Sequence, residues 1–343
     1  MAEPTRMETV SIPGTDLAPS RIGLGTWAIG GWMWGGADDD RAVRTIHEAI
    51  DRGITLVDTA PAYGQGHAEA VVGRALADGS RRDRVVLATK CALKWDHVGA
   101  DASVSRDASA RRIRQEVEDS LSRLKTDAID IYQVHWPDPA TPMEETARTM
   151  AALLQEGKIR AVGVSNFTPE QAAQFREHAP LHVVQPPYNL FEREIERDIL
   201  PYARDHGIAT LTYGAICRGL LSGRMTEDTS FPDGDLRQVD PKFRQPRFGE
   251  YVRAVHRLDD LARERFGRRV IHLALRWLLD QKGVSVALWG ARRPDQLGPV
   301  GEVMGWSLDD AAKGEIDTIL RDTVSEPVGP DFMAPPEPER RAA

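Results

Sequence analysis

Short runs of β-branched and aliphatic residues alternate along this chain with longer stretches in which apolar residues recur every three or four positions. The runs at 22–26, 54–58, 84–90, 129–135, 159–165, 183–187, 208–213 and 285–288 have the length of buried strands. Between them the spacing turns helical. Ile113, Val117, Leu121 and Leu124 fall on one face, with Arg, Gln and Glu on the other. The segments 39–51, 68–77, 143–156, 169–178 and 194–206 follow the same pattern. Gly53, Gly157 and Gly207 stand where helices should stop, and each is followed at once by a strand.

Eight strand-then-helix units predict an α/β fold, a (β/α)8 TIM barrel, which typically takes about 250 residues plus insertions. A doubly wound sheet would use fewer strands and carry a phosphate fingerprint in its first βα turn. Gly23-Leu24-Gly25-Thr26-Trp27-Ala28 has the glycine spacing of such a fingerprint. The residues after it, 29–36, are too rich in glycine to open a helix, so no helix N-terminus would cradle a pyrophosphate. The turn is better read as part of the barrel mouth. Ahead of the first strand, 8–12 and 17–21 flank Pro13-Gly14-Thr15-Asp16 and predict an N-terminal hairpin that closes the bottom of the barrel. Long loops are expected at the C-terminal face, and the polar stretch 223–249 reads as a lid or an insert there. A single domain is expected over 1–326. An extended, proline-rich tail follows at 327–343, with its last ten or so residues mobile.

Composition narrows the function classes. Of 343 residues, 41% are hydrophobic and 28% charged, as in ordinary soluble proteins. A formal net charge of −8 argues against nucleic acid or an anionic membrane surface as a partner. No apolar run nears the roughly 20 residues that span a bilayer. The N-terminus lacks the apolar core of a secretory signal. Cys91 and Cys217 lie far apart and suggest no disulfide framework, so a cytoplasmic location is expected. Nine histidines are scattered without His-x-x-x-His spacing, and no Cys-x-x-Cys occurs, so no metal site is expected.

Barrel enzymes carry their chemistry at the C-terminal ends of the strands. Asp58, Lys90 and His135 end three predicted strands, and Tyr63 lies in the loop just past Asp58. Such a quartet suits carbonyl reduction, in which hydride reaches the carbon and a proton the oxygen. Tyr63 is the candidate general acid. A free phenol has a pKa near 10, and an ammonium at Lys90 is expected to lower it. Asp58 would hold Lys90, and His135 would donate a hydrogen bond to the substrate carbonyl.

The hydride donor needs its own site. Thr26 and Trp27 line the mouth, and Asp58 lies beside them. Ser165 and Asn166, with Gln185, could grip a nicotinamide carboxamide, and the Tyr213 ring could stack on its face. Gly214, Ile216, Arg218 and Leu221 follow the seventh strand, where backbone amides and a guanidinium would meet a pyrophosphate. Gly290, Arg292 and Gln296 follow the eighth, and Arg292 suits a 2′-phosphate. The substrate pocket is expected to gather Trp27, Tyr63, Trp95, His135 and Trp136, with Trp32 and Trp34 nearby. An aromatic-walled cleft favours aromatic or medium-chain aldehydes over charged sugars.

These motifs resemble those of the aldo-keto reductases over roughly 12–320: Asp58-Thr59-Ala60-Pro61-Ala62-Tyr63, Ala88-Thr89-Lys90, Val134-His135, Gly163-Val164-Ser165-Asn166-Phe167, Gln185-Pro186-Pro187-Tyr188-Asn189, and Gly290-Ala291-Arg292 with Gln296. The nearest likeness is to bacterial members of the branch that also holds potassium-channel β-subunits and general-stress reductases. The resemblance implies an Asp58/Tyr63/Lys90/His135 tetrad, NADP(H) bound without a doubly wound domain, and a small aldehyde or ketone as partner. An oligomer is compatible with it. Two departures stand out. Gly298-Pro299-Val300 occupies the stretch where members often carry a Glu-Asn pair that grips adenine, and Gly214-Ala215-Ile216 replaces the usual Ser-Pro-Leu. A second reading from another class is an NADP(H)-sensing regulatory subunit with vestigial catalysis.

Overall fold

A computed structural model describes residues 7–77, 79–99 and 102–336. Eight parallel strands close into a barrel whose order around the sheet, by residue number, is 22–25, 286–290, 209–212, 183–185, 159–165, 129–134, 86–91 and 56–58. They are β1 (Ile22–Gly25), β2 (Leu56–Asp58), β3 (Val86–Cys91), β6 (Ile129–Val134), β7 (Ile159–Ser165), β8 (Val183–Gln185), β9 (Ala209–Thr212) and β10 (Val286–Gly290). Helices α1 (Asp39–Asp51), α2 (His67–Leu76), α3 (Ala110–Leu124), α4 (Met143–Gln155) and α5 (Pro169–Arg176) sit at the predicted places, and α6 (Ile199–Asp205), α7 (Arg247–Phe266), α8 (Val270–Leu279) and α9 (Asp310–Thr323) complete the outer ring.

The register explains how the barrel positions its chemistry. Successive side chains on a strand point to opposite faces, so every second residue faces the barrel axis. Leu56, Ala88, Ile131, Ala161, Val183, Ala209, Leu211, Val286 and Leu288 form one buried cluster inside the barrel. Each fully buried Leu, Ile or Val side chain there contributes about 1.5–3 kcal/mol relative to an exposed one. Ile12 and Leu17 plug the same cluster from below, carried on the N-terminal hairpin. That hairpin is held by Val10 N donating to Pro19 O at 2.9 Å, Ile12 N to Leu17 O at 2.9 Å and Arg21 N to Glu8 O at 2.8 Å. Two residues further up the strands the inward positions are Asp58, Lys90, Gln133, Gly163 and Gln185. The core therefore changes from aliphatic to polar one layer below the C-terminal face.

Several elements depart from the sequence reading. The 194–206 segment is two pieces, a 3-10 turn at Glu194–Glu196 and then α6. Pro201 has no N–H to give and so belongs in a first helical turn, and Asp198 caps the new start. An antiparallel pair, β4 (Leu93–Trp95) with β5 (Val104–Arg106), rises between β3 and α3 and was not predicted. The 223–249 stretch is no open insert. It folds through 3-10 turns at Leu236–Gln238 and Pro241–Phe243, and its last residues already belong to α7. Phe231, Phe243 and Phe248 anchor it as a ring cluster, and Leu236 N donates 2.9 Å to Met33 O.

The chain from 327 to 336 crosses the C-terminal face as a strap, with a 3-10 turn at Asp331–Met333. Val328 N donates to the Tyr251 hydroxyl at 3.2 Å, Lys242 Nζ to Gly329 O at 3.1 Å and Arg106 Nη2 to Pro335 O at 2.9 Å. Residues 337–343, where mobility was expected, lie outside the described residues. No helix among the described residues is long and apolar enough to cross a membrane.

Candidate active site

Asp58, Lys90 and Gln133 converge because their strands are neighbours in register, and Tyr63 is brought over them by a turn. Tyr63 N bonds Ala60 O at 3.1 Å, and the loop then lies directly on the β1–α1 turn. A Cβ at Gly30 would stand 2.7 Å from the Tyr63 carbonyl, so only glycine admits this approach. Lys90 Nζ donates to Asp58 Oδ2 at 2.7 Å and Oδ1 at 3.0 Å, to Thr59 O at 3.0 Å and to the Tyr63 hydroxyl at 3.2 Å. The Tyr63 and His135 rings meet edge to face, with centroids 5.9 Å apart. The four predicted side chains thus gather at one spot.

Their protonation differs in one respect from expectation. Burial pushes the Tyr63 phenol well above its ordinary pKa, and the Asp58 carboxylate adds to the rise. The expected lowering by Lys90 is outweighed. Burial also lowers the Lys90 ammonium, with Asp58 pulling the other way. Burial and the Lys90 charge hold His135 well below its usual value, so its imidazole is neutral at physiological pH.

Above this group opens a cavity of about 410 Å³ lined by Trp27, Trp32, Met33, Tyr63, His135, Trp136 and Leu93, with Leu236, Phe332, Met333 and Pro335 on its outer wall. Its described lining contains no Asp, Glu, Lys or Arg side chain. Four of the predicted pocket residues line it, and Trp95 does not. Trp95 ends β4 on the outer hairpin, where its ring covers the Arg112 guanidinium at 5.7 Å. The lid and the strap supply walls that the sequence reading did not assign to the pocket.

A second groove of about 310 Å³ runs from Tyr63 across the ends of β1, β9 and β10. Thr26, Trp27, Asp58, Tyr213, Gly214, Ile216, Gly290, Arg292 and Gln296 all line it, as anticipated. Ser165, Asn166 and Gln185 face the adjoining cavity. The Tyr213 hydroxyl donates to Asn166 Oδ1 at 2.8 Å, Asn166 Nδ2 to His135 O at 3.0 Å, and Ser165 Oγ to Gln185 O at 2.7 Å. Gln296 Oε1 accepts from the backbone N–H groups of Arg292 at 2.9 Å and Arg293 at 3.1 Å, which fixes the Arg292 loop.

Two residues expected at this groove sit differently from the expectation. Leu221 is fully buried in the apolar core and lines neither space. Arg218 borders the groove, yet its guanidinium is committed to the buried carboxylates of Glu192 and Asp240, the latter at 2.9 Å. A third cation there was missed. Arg237, on the lid, lies over the Trp34 ring at 5.7 Å and pairs with Asp235 at 2.6 Å.

The groove fits an anionic, flat ligand such as a nicotinamide dinucleotide. The backbone N–H groups of Ala215 and Ile216 donate to nothing among the described residues, and the buried indole N–H of Trp34 has no partner there. Burial, and after it the neighbouring charges of Arg293, Arg237 and Arg41, lowers the Arg292 pKa. Unmet donors and crowded cations are what a phosphate would relieve.

Comparison with known proteins agrees with the barrel fold. The model of the aldo/keto reductase family matches residues 21–321. The chain is 57% identical to the aldo-keto reductase YhdN of Bacillus subtilis, covering 97% of this chain and 99% of that protein. It is 35% identical to the NADH-specific methylglyoxal reductase of Escherichia coli, covering 89% and 96% respectively. Among solved structures, the glycerol dehydrogenase AKR11B4 from Gluconobacter oxydans superposes with a TM-score of 0.87 at 54% identity, covering 97% of this chain and 100% of that one.

Proposed function

Since the chain belongs to the aldo/keto reductase family, we propose that it reduces small uncharged aldehydes or ketones to alcohols with NADPH. One observation carries this reading: the Lys90 ammonium stands 3.2 Å from the Tyr63 hydroxyl, at the floor of a cavity whose described lining bears no formal charge.

In this reading Tyr63 gives its proton to the carbonyl oxygen. Its raised pKa keeps the phenol protonated at neutral pH, so the acid form is always in place. Lys90 stabilises the phenolate left behind, and Asp58 holds Lys90 there. His135, neutral, donates a hydrogen bond that orients the carbonyl. Reduced nicotinamide supplies the hydride when bound. Ser165, Asn166 and Gln185 would hold its carboxamide, Tyr213 would stack on its ring, and the Ala215 and Ile216 amides would take the pyrophosphate. Arg292, with Arg293 and Arg237 near, would take the 2′-phosphate.

One relative is named a reductase of methylglyoxal and a solved neighbour a dehydrogenase of glycerol. We take both names to support small uncharged substrates and a reaction that runs either way on the same acid–base pair. That relative is also named NADH-specific, so the choice of NADPH rests on this chain's own cations.

The test is a stopped-flow mix of the NADPH-loaded protein with 4-nitrobenzaldehyde. Rapid loss of the reduced-nicotinamide signal supports the proposal. Stable NADPH over minutes would leave a cofactor-sensing barrel as the better reading.

A further inference from the structure

Gln133 is fully buried inside the barrel, in register with Lys90 on β3 and Gly163 on β7. One layer below, the inward positions are aliphatic. A primary amide in such a place is costly unless it is bonded, so its partners show what it does. Its Nε2 points to Asp58 Oδ1 at 3.4 Å, and its Oε1 accepts from Gln185 Nε2 at 3.3 Å. Gln185 Nε2 in turn donates to the same Asp58 oxygen at 2.9 Å. The neighbouring strand makes room for this amide. A Cβ at Gly163 would stand 2.7 Å from Gln133 Cγ.

We propose that Gln133 is a positioning residue that sets where the Asp58 carboxylate lies, and through it the distance between Lys90 and Tyr63. Asp58 Oδ1 is shared by Lys90, Gln185 and Gln133. Each donor spreads the carboxylate charge, and so limits how strongly Asp58 draws the ammonium away from the phenol. Gln185 also lines the substrate cavity. When its amide turns to a ligand, Gln133 is the remaining amide beside Asp58. Removing Gln133 would pull Lys90 toward Asp58 and leave the Tyr63 phenolate less stabilised.

The inference rests on Tyr63 being the acid, so its test includes a reading that needs no turnover. Q133M and Q133L replace the amide with apolar groups of similar size. The first measurement is the ultraviolet tyrosinate titration of each protein, taken as the difference from the same protein carrying Tyr63→Phe. The second is the pH dependence of hydride transfer in the alcohol-oxidising direction, where the phenolate is the base. We expect both variants to fold and bind NADPH unchanged. Tyr63 should then ionise about one pH unit higher, a tenfold change in its ionisation constant, and the acid limb of the rate profile should move by the same amount. Unmoved titration and profile in a folded variant, or failure of both variants to fold, would make Gln133 structural only and overturn the proposal. If the unaltered protein shows no Tyr63-dependent turnover, the proposed function fails, while the titration alone still decides the role of Gln133.

Discussion

Lys90 Nζ lies 3.2 Å from the Tyr63 hydroxyl, close enough to stabilise the phenolate but buried enough that the phenol stays protonated without a ligand. Burial and the Asp58 charge win over the ammonium at this distance. In the proposed reduction, Tyr63 would be an acid that is ready at neutral pH and strengthened only as charge develops on its oxygen.

The signs of these shifts set a pH profile. A raised Tyr63 pKa keeps the proton on the phenol throughout the neutral range and past the ordinary value of about 10. A depressed His135 pKa keeps the imidazole neutral down through the usual histidine range near 6.5. Single-turnover carbonyl reduction is therefore expected to be flat between about pH 6 and 9. Alcohol oxidation, which needs the phenolate, is expected to climb across the same range. Rates of both directions measured by stopped flow would check this, and a bell centred near neutrality for reduction would count against it.

Arg292 supplies the cofactor test. Its neighbours Arg293, Arg237 and Arg41 are each paired with a carboxylate, Asp295, Asp235 and Asp38, whereas Arg292 has no ion pair among the described residues. Arg292→Ala is expected to weaken NADPH binding by about 1.5–3 kcal/mol, the worth of one charge-assisted hydrogen-bond contact, or roughly ten- to a hundredfold. NADH binding should not change. Fluorescence titration with both nucleotides gives the comparison. Equal affinities in the unaltered protein would contradict the assignment of the 2′-phosphate.

Lys242 tests the frame around the groove. It is fully buried, pairs with Glu192 at 2.7 Å and holds the strap through Gly329 O. Burial alone would raise the Glu192 pKa, yet Arg218 and Lys242 hold it below the usual carboxylate value. A depressed folded-state pKa adds stability above the unfolded value and loses it as pH falls. Lys242→Met is expected to cost about 3–5 kcal/mol at neutral pH, because a carboxylate is left short of a partner, and to flatten the acid side of the stability profile. Denaturant unfolding at several pH values would show both. A variant as stable as the parent would mean the pair is dispensable.

Much of this architecture was legible in the chain. The barrel strands were, because they are buried on both faces and read as unbroken apolar runs. The gathering of Asp58, Tyr63, Lys90 and His135 at one spot was, because residues at strand ends converge above a barrel. What escaped depends on contacts distant in sequence. Arg218 reads as a free cation until Glu192 and Asp240 are seen beside it. Trp95 reads as a pocket wall, but the β4–β5 pairing turns it onto Arg112. The strap reads as a loose proline-rich tail, because its anchors Arg106, Lys242 and Tyr251 are scattered over the chain. Gln133 did leave a signal. It stands on the strand two residues before His135, the residue that directly follows the strand's end.

The measurement that bears most directly on the account is single-turnover oxidation of bound NADPH by 4-nitrobenzaldehyde in Tyr63→Phe. The variant keeps the ring stacked on Trp27 and the groove intact, so NADPH affinity should hold while hydride transfer falls by about 10²–10⁴. Near-normal transfer in the phenylalanine variant would contradict the claim that this phenol delivers the proton.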